Sequence, residues 1–163
     1  MKQIALPSQA RAIDQDMIVR QKIPGLLLME QAAAAVCQTA MQMQPSGRIL
    51  AVAGSGNNGG DAFAAARILL TAGYDVWVGY LPAKELPADA AANFAFWEHS
   101  ERLTLLSEQT LPAFFAQPAS IILDGIFGTG LSRAPSGLYA QAICAINEHP
   151  AKNNNKRELQ HCQ

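Results

Sequence analysis

The chain reads as an α/β domain: three-layer α/β/α, Rossmann-like, with a mostly parallel doubly wound sheet preceded by two N-terminal helices. Three observations predict this. From Ile49 onward, short apolar runs alternate with segments of helical spacing, the pattern of a parallel sheet covered by helices on both faces. Ile121-Ile122-Leu123 is continuously apolar, as a strand buried on both faces is. And the glycine-rich stretch Gly54 to Asp61 stands between an apolar run ending at Ala53 and a helix-like run from Ala62 to Leu70. Strand, glycine-rich turn and helix is the layout that brings backbone N–H groups and a helix N-terminus against a phosphate.

Each element has its own signal. Ser8 is an N-cap candidate for a first helix reaching about Lys22, with Ala10, Ile13, Met17 and Ile18 as its buried side. Pro24-Gly25 punctuates. A second helix then runs to about Gln42, with Met29, Ala32, Ala33, Val36 and Ala40 at helical spacing. After the turn Pro45-Ser46-Gly47 come a strand at 49–54, a helix at 61–72, a strand at 75–80 and a helix at about 89–100. A short strand near 103–106, a short helix near 110–115, a fourth strand at 120–124 and a helix at about 137–147 complete the alternation. In a doubly wound sheet the order 3-2-1-4 makes the first and fourth strands neighbours, and ligands bind outside their carboxyl ends. Those ends carry Gly54–Asp61 and Asp124–Gly130, so both loops should face one crevice.

Composition narrows the function classes. With 163 residues, half of them hydrophobic and 15% charged, a single globular domain is expected. A net charge of −1 gives no basic footprint for nucleic acid. The 3 cysteines, Cys37, Cys144 and Cys162, form no C-x-x-C pair and read as reduced thiols in a cytoplasmic protein, the first two in the core. No secretory signal or membrane span is expected: the apolar region from Gly25 to Val36 is interrupted by Glu30 and Gln31. His99, His149 and His161 lie in no metal-ligand spacing.

Gly54, Gly56 and Gly59 satisfy G-x-G-x-x-G, yet the loop is a poor ordinary dinucleotide fingerprint. The second strand ends in Tyr80-Leu81 and lacks the acidic residue that holds ribose hydroxyls; Asp75 is at its wrong end. No Lys follows the glycines, which excludes a P-loop. Asp61 would put negative charge where an anion should bind, so the loop does more than hold phosphate. Asn58 and Asp124 are hard oxygen donors that would converge in the crevice and, with backbone carbonyls, suit a hard cation. Two plainer readings stand beside this: asparagines that tolerate a left-handed turn, and carboxylates at Asp61 and Asp124 that stabilise helix or segment starts. Glu30 reads as a structural carboxylate bonding loop backbone, Trp77 and Trp97 as packing with adenine stacking as the alternative, and Asp14 to Asp16 as a solvated helix face.

Gly56-Asn57-Asn58-Gly59-Gly60-Asp61, Leu28-Met29-Glu30 and Asp124-Gly125-Ile126-Phe127-Gly128-Thr129-Gly130 occur in an order that resembles the NAD(P)H-hydrate epimerase family, the YjeF N-terminal domain. The resemblance covers about 8–149 and implies a metabolite-repair isomerase. Its substrate is hydrated NADH or NADPH, in which water has added beside the nicotinamide ring nitrogen. It implies catalytic roles for Asp61 and Asp124. It also implies substrate binding by Asn57, Asn58, Gly59, Gly60 and Asp61, and by Gly128, Thr129, Gly130, Leu131, Ser132, Arg133 and Ala134. A potassium ion is implied at Asn58 and Asp124, a functional link to an ATP- or ADP-dependent NAD(P)H-hydrate dehydratase, and a homodimer as one oligomeric option. Family members continue with another strand and an Asp-x-Pro-Ser-Gly loop; after His149-Pro150 this chain reads as a polar Lys/Asn/Gln-rich stretch. The expectation is therefore a domain at 1–150, incomplete at its C-terminal end, and a polar tail at 151–163. Lys152 to Gln163 is expected not to be a native ending of the fold, and the fourth strand should lie at a sheet edge. Two other functions compete: a non-catalytic scaffold or inactive fragment of the same fold, and an NAD-dependent oxidoreductase, which the missing second-strand acid argues against.

Overall fold

The computed structural model describes residues 6–43, 45–82, 84–128, 131 and 134–151, with the side chains of Pro7 and Arg11 left aside. Four strands form one sheet: β1 (Ile49–Ala53), β2 (Val76–Tyr80), β3 (Leu103–Leu105) and β4 (Ile121–Gly125). The helices are α1 (Pro7–Val19), α2 (Gly25–Gln42), α3 (Asn57–Thr71), α4 (Ala88–Phe94), α5 (Leu111–Phe115) and α6 (Gly137–Glu148). The strand order is β3-β2-β1-β4 and every pair is parallel, as the alternating pattern predicts. Among the described residues β4 pairs on one side only, through the register Ile49↔Ile121 to Ala53↔Gly125.

Two apolar layers hold the sheet. On one face Ile49, Ala51, Ala53, Val76, Val78 and Ile121 meet α2 and α3 through Ala33, Cys37, Ala40, Phe63, Ala66 and Leu69. On the other, Leu50 and Val52 meet Leu111, Phe114, Phe115, Ile126 and Ala142, from α5, α6 and the loop after β4. Central β1 is wholly buried, whereas β4 leaves Ile122 and Leu123 partly open and Asp124 exposed. Alanines let α2 lie close on α3, so backbone approaches where larger side chains would stand off.

Several boundaries differ from the sequence reading, each for a physical reason. The first helix is capped not by Ser8 but by Leu6, whose N–H donates to Gln9 Oε1 at 2.8 Å. Pro7 then fits the first helical position, where no N–H is needed. The helix ends at Val19, and Lys22 turns left-handed at φ 58°. Ile13 and Ile18 are exposed; among the described residues α1 packs mainly along α2, which leaves these two side chains on its open side. On α2 the buried line is Met29, Ala33, Cys37 and Ala40; Ala32 and Val36 face outward. Cys37 is a core residue, its thiol donating to Ala65 O, but Cys144 is exposed. The fourth helix stops at Phe94, and the following turns seat Trp97, fully buried with Nε1 donating to Phe63 O at 3.1 Å.

Candidate active site at the carboxyl ends of β1 and β4

The largest revision concerns α3. The expected helix start was Asp61; the helix begins at Asn57, after an extended Gly56. Asn58, Gly59, Gly60 and Asp61 are therefore helical. Neither Asn57 nor Asn58 has positive φ, which removes the left-handed-turn reading. Asp61 lies beyond the first turn, which removes the reading of it as a helix-start carboxylate. Glycines are poor helix formers and so look like loop in the sequence. Packing overrides that preference. A Cβ at Gly59 would run into the Gly54 backbone, one at Gly60 into the Met29 side chain at 2.7 Å, and one at Gly125 into Ala62 and, at 2.9 Å, Asn58 O. Gly54 in turn lies against the Ile126 backbone. The ends of β1 and β4 and the first turn of α3 thus touch main chain to main chain.

This contact brings three of the expected polar residues together. Asn58, Asp61 and Asp124 line one cavity of about 210 Å³, with Val36 of α2, Ala62 and Ala65 of α3, and Ile122, Leu123 and Gly125 along the open edge of β4. Asn58 Nδ2 donates to Phe127 O at 3.0 Å, and Asp124 Oδ1 accepts the Ile126 N–H at 3.0 Å. Each side chain is oriented by one bond. Among the described residues, Asn58 Oδ1 and the second Asp124 oxygen carry no hydrogen bond. Asp61 is half-buried, and its carboxyl is pushed up to about 6, chiefly by burial and secondarily by the Asp14 carboxylate on α1. A group that titrates near neutrality can both give and take a proton.

A second cavity, of about 270 Å³, is lined by Ser55, Phe127, Leu131, Ala134, Pro135, Ser136 and Tyr139. It lies on the α6 side of the Asn58–Phe127 link, with the Phe127 and Tyr139 rings stacked at 5.3 Å and 29°. The two stretches expected to bind substrate are accordingly divided: Asn58 and Asp61 line the first cavity, Leu131 and Ala134 the second. Gly59 and Gly60 serve the close packing, and a Cβ at Gly128 would meet the Asn58 side chain at 3.5 Å, an ordinary contact. Thr129, Gly130, Ser132 and Arg133 lie outside the described residues, as does 152–163.

Other sequence expectations resolve into structure. Glu30 pairs not with loop backbone but with Arg67 of α3, which also bonds Asn93 of α4. Asn93 in turn donates to Met29 Sδ at 3.4 Å. Leu28-Met29-Glu30 thereby locks α2 onto α3 and α4. Trp97 is too deeply buried to stack on a ligand. Trp77 lies toward the start of β2, away from both cavities, under Arg48 and Arg102. Asp16 does sit on a solvated face, paired with Arg20. Asp14 is exposed as well, and its carboxylate is in addition the second influence on Asp61. A helical periodicity says which side an aspartate lies on and not which distant helix that side approaches.

The chain is similar to known proteins over most of its length. A family model described as YjeF-related protein N-terminus matches residues 25–156. An NAD(P)H-hydrate epimerase of Rhodopirellula baltica is 32% identical over 142 residues, covering 86% of this chain and 58% of the relative. The enzyme of that name from Limosilactobacillus fermentum is 35% identical, with 90% and 69% covered, and that from Roseobacter litoralis 33% identical, with 93% and 75% covered. The chain thus spans 58% of the length of the first of these relatives and 75% of the last. Among solved structures, the yeast protein ynu0 superposes with a TM-score of 0.77 at 22% identity, covering 91% of this chain and 66% of that one, a likeness of fold.

Proposed function

The chain belongs to the family of YjeF-related protein N-termini, and from that premise we propose that it is an NAD(P)H-hydrate epimerase, interconverting the R and S forms of hydrated NADH or NADPH. The observation that carries this reading is the convergence of Asn58, Asp61 and Asp124 in one cavity at the carboxyl ends of β1 and β4. The names of the relatives support the substrate class.

The reacting carbon bears a hydroxyl beside a ring nitrogen. Protonated Asp61 gives its proton to that hydroxyl, which leaves as water while the nitrogen lone pair forms the iminium. Water then adds from the other face and returns a proton to the Asp61 carboxylate. Atoms and charge balance without an oxidant or reductant. A ring-opening route needs the same proton transfers at oxygen. Half-burial of Asp61 keeps a fraction of it protonated near neutral pH.

The donor set fits a potassium ion. Asn58 Oδ1 and one Asp124 oxygen are uncommitted among the described residues and line the same cavity. One carboxylate with neutral oxygens suits a hard monovalent cation better than zinc, which takes nitrogen and sulfur ligands. When bound, such an ion would neutralise Asp124 and polarise substrate oxygens. Asn58 and Asp124 would hold it, each already fixed by its bond to the loop after β4.

The test is turnover of the R epimer of hydrated NADH by purified protein, with and without potassium. Conversion to the S form, lost in Asp61→Asn and in Asp124→Ala, is expected. A correctly folded protein with no conversion would overturn the reading and leave a non-catalytic member of the family.

A further inference from the structure

Resting on the epimerase reading, we infer that the cavity beside α6 is the subsite for the adenine end of the dinucleotide, with Tyr139 as its stacking platform. Proton chemistry belongs to the other cavity, where Asp61 and Asp124 are; the reacting nicotinamide ring has to be there. Among the described residues, the α6-side cavity is lined by Ser55, Ser136, the aromatic pair and apolar side chains, with no carboxylate. Its roughly 270 Å³ is less than a whole small-molecule site normally offers, about 300–1,000 Å³, and suits one end of a longer ligand.

Its chemistry is that of a flat heteroaromatic ring. Phe127 and Tyr139 stack on each other at 5.3 Å, which fixes the Tyr139 ring plane before any ligand arrives. Phe127 is 37% exposed, so its ring is open to a ligand as well as to Tyr139. Among the described residues, Tyr139 makes this ring contact and no hydrogen bond, so its hydroxyl is available to a ligand. Ser55 and Ser136 can each donate or accept, matching the mixed edge of adenine. Ser55 also lies between Gly54 and Gly56, in the stretch leading into α3, so a ligand reaching from this cavity toward Asp61 passes the start of that helix. Pyrophosphate, the linker between the two halves, is what a helix start accommodates.

The experiment uses two half-ligands, adenosine 5′-monophosphate and nicotinamide mononucleotide, titrated into the parent chain, Tyr139→Ala and Tyr139→Phe. Stacking on one aromatic ring supports an expected loss of about tenfold in adenosine monophosphate affinity for Tyr139→Ala, with Tyr139→Phe close to the parent and the nicotinamide half unchanged in all three. In the parent protein, nuclear Overhauser contacts from the Tyr139 ring to adenine H2 and H8 are expected; they need no variant and stand even if Tyr139→Ala fails to fold. Absent contacts, equal adenosine monophosphate binding in Tyr139→Ala, or an equal loss for the nicotinamide half would each overturn the assignment. Binding is read without turnover: a Tyr139-dependent adenine site in a protein that fails the epimerase assay would remove the activity and leave the subsite.

Discussion

Two aspartates at opposite ends of the sheet have opposite environments. Asp75, just before β2, is held by Arg48, Arg102 and the Trp77 indole N–H, and the hydrogen bond from Arg102 is the largest influence drawing its carboxyl below the usual range. Asp61, beyond the carboxyl end of β1, is half-buried and faces another carboxylate; its carboxyl is pushed up to about 6. The first is satisfied and largely in water. The second is under-solvated and lines a cavity. Structural carboxylates are given partners, whereas one whose proton affinity is raised in a cleft marks a site.

The sharpest way to break this comparison is to neutralise each aspartate in turn. Asp61→Asn is expected to lower turnover of hydrated NADH by at least about 100-fold, the usual scale for a lost acid–base group. Asp75→Asn should leave turnover within about twofold and cost at most about 1 kcal/mol, because the pairs it breaks are exposed. Similar activity loss in both, measured by following the epimers chromatographically, would remove the functional distinction.

The same contrast holds for glycines. Gly125→Ala, at the site end, should cost about 3 kcal/mol in denaturant unfolding, since the new methyl meets Ala62 and, at 2.9 Å, Asn58 O. Gly47→Ala, at the other end, meets only Ser120 at 3.8 Å and should change stability by less than about 0.5 kcal/mol. Equal effects would mean that the two ends are packed alike. Arg67→Ala should cost about 1–2 kcal/mol, since Glu30 and buried Asn93 both lose a partner.

The smallest effects are in pH. Asp61 binds its proton more tightly folded than unfolded, so its contribution to stability is fully present below its ordinary value of 3.8 and is lost as pH rises through about 6. Asp75, with its folded value lowered, contributes in the opposite sense: present above 3.8 and lost as pH falls below it. Thermal melts between pH 3 and 8 should show Asp61→Asn gaining on the parent across pH 4–6 and Asp75→Asn doing the reverse at the acid end. Asp14→Asn should move the Asp61 midpoint downward by less than burial moves it up, because Asp14 is the second cause and not the first.

Strand order, the parallel sheet and the crevice at β1 and β4 were legible because apolar runs and their alternation with helices depend on local spacing alone. The two loops were legible through their glycines. What was not legible depends on which surfaces meet. Gly59-Gly60 look like loop until Gly54 and Met29 require them inside a helix. Ile13, Ile18 and Val36 look like core until their helices are found with an open side. Tyr139 is one apolar position among several in α6 until Phe127, twelve residues earlier, stacks on it. Glu30 could be assigned a structural role but not a partner, because Arg67 is 37 residues away.

The main-chain junction of Gly54, Gly59, Gly125 and Ile126 has a consequence for how this site can change over evolutionary time. The junction is built largely of backbone, and every peptide unit offers the same N–H and C=O whatever the codon. Mutation there can abolish the pocket by adding a methyl, but it has no side chain through which to retune selectivity. Divergence in ligand preference is therefore confined to the walls: the Val36, Asp61 and Asp124 side on one flank, and the Ser55, Leu131 and Tyr139 side on the other. The two flanks can drift separately, since the two cavities are lined by separate sets of residues.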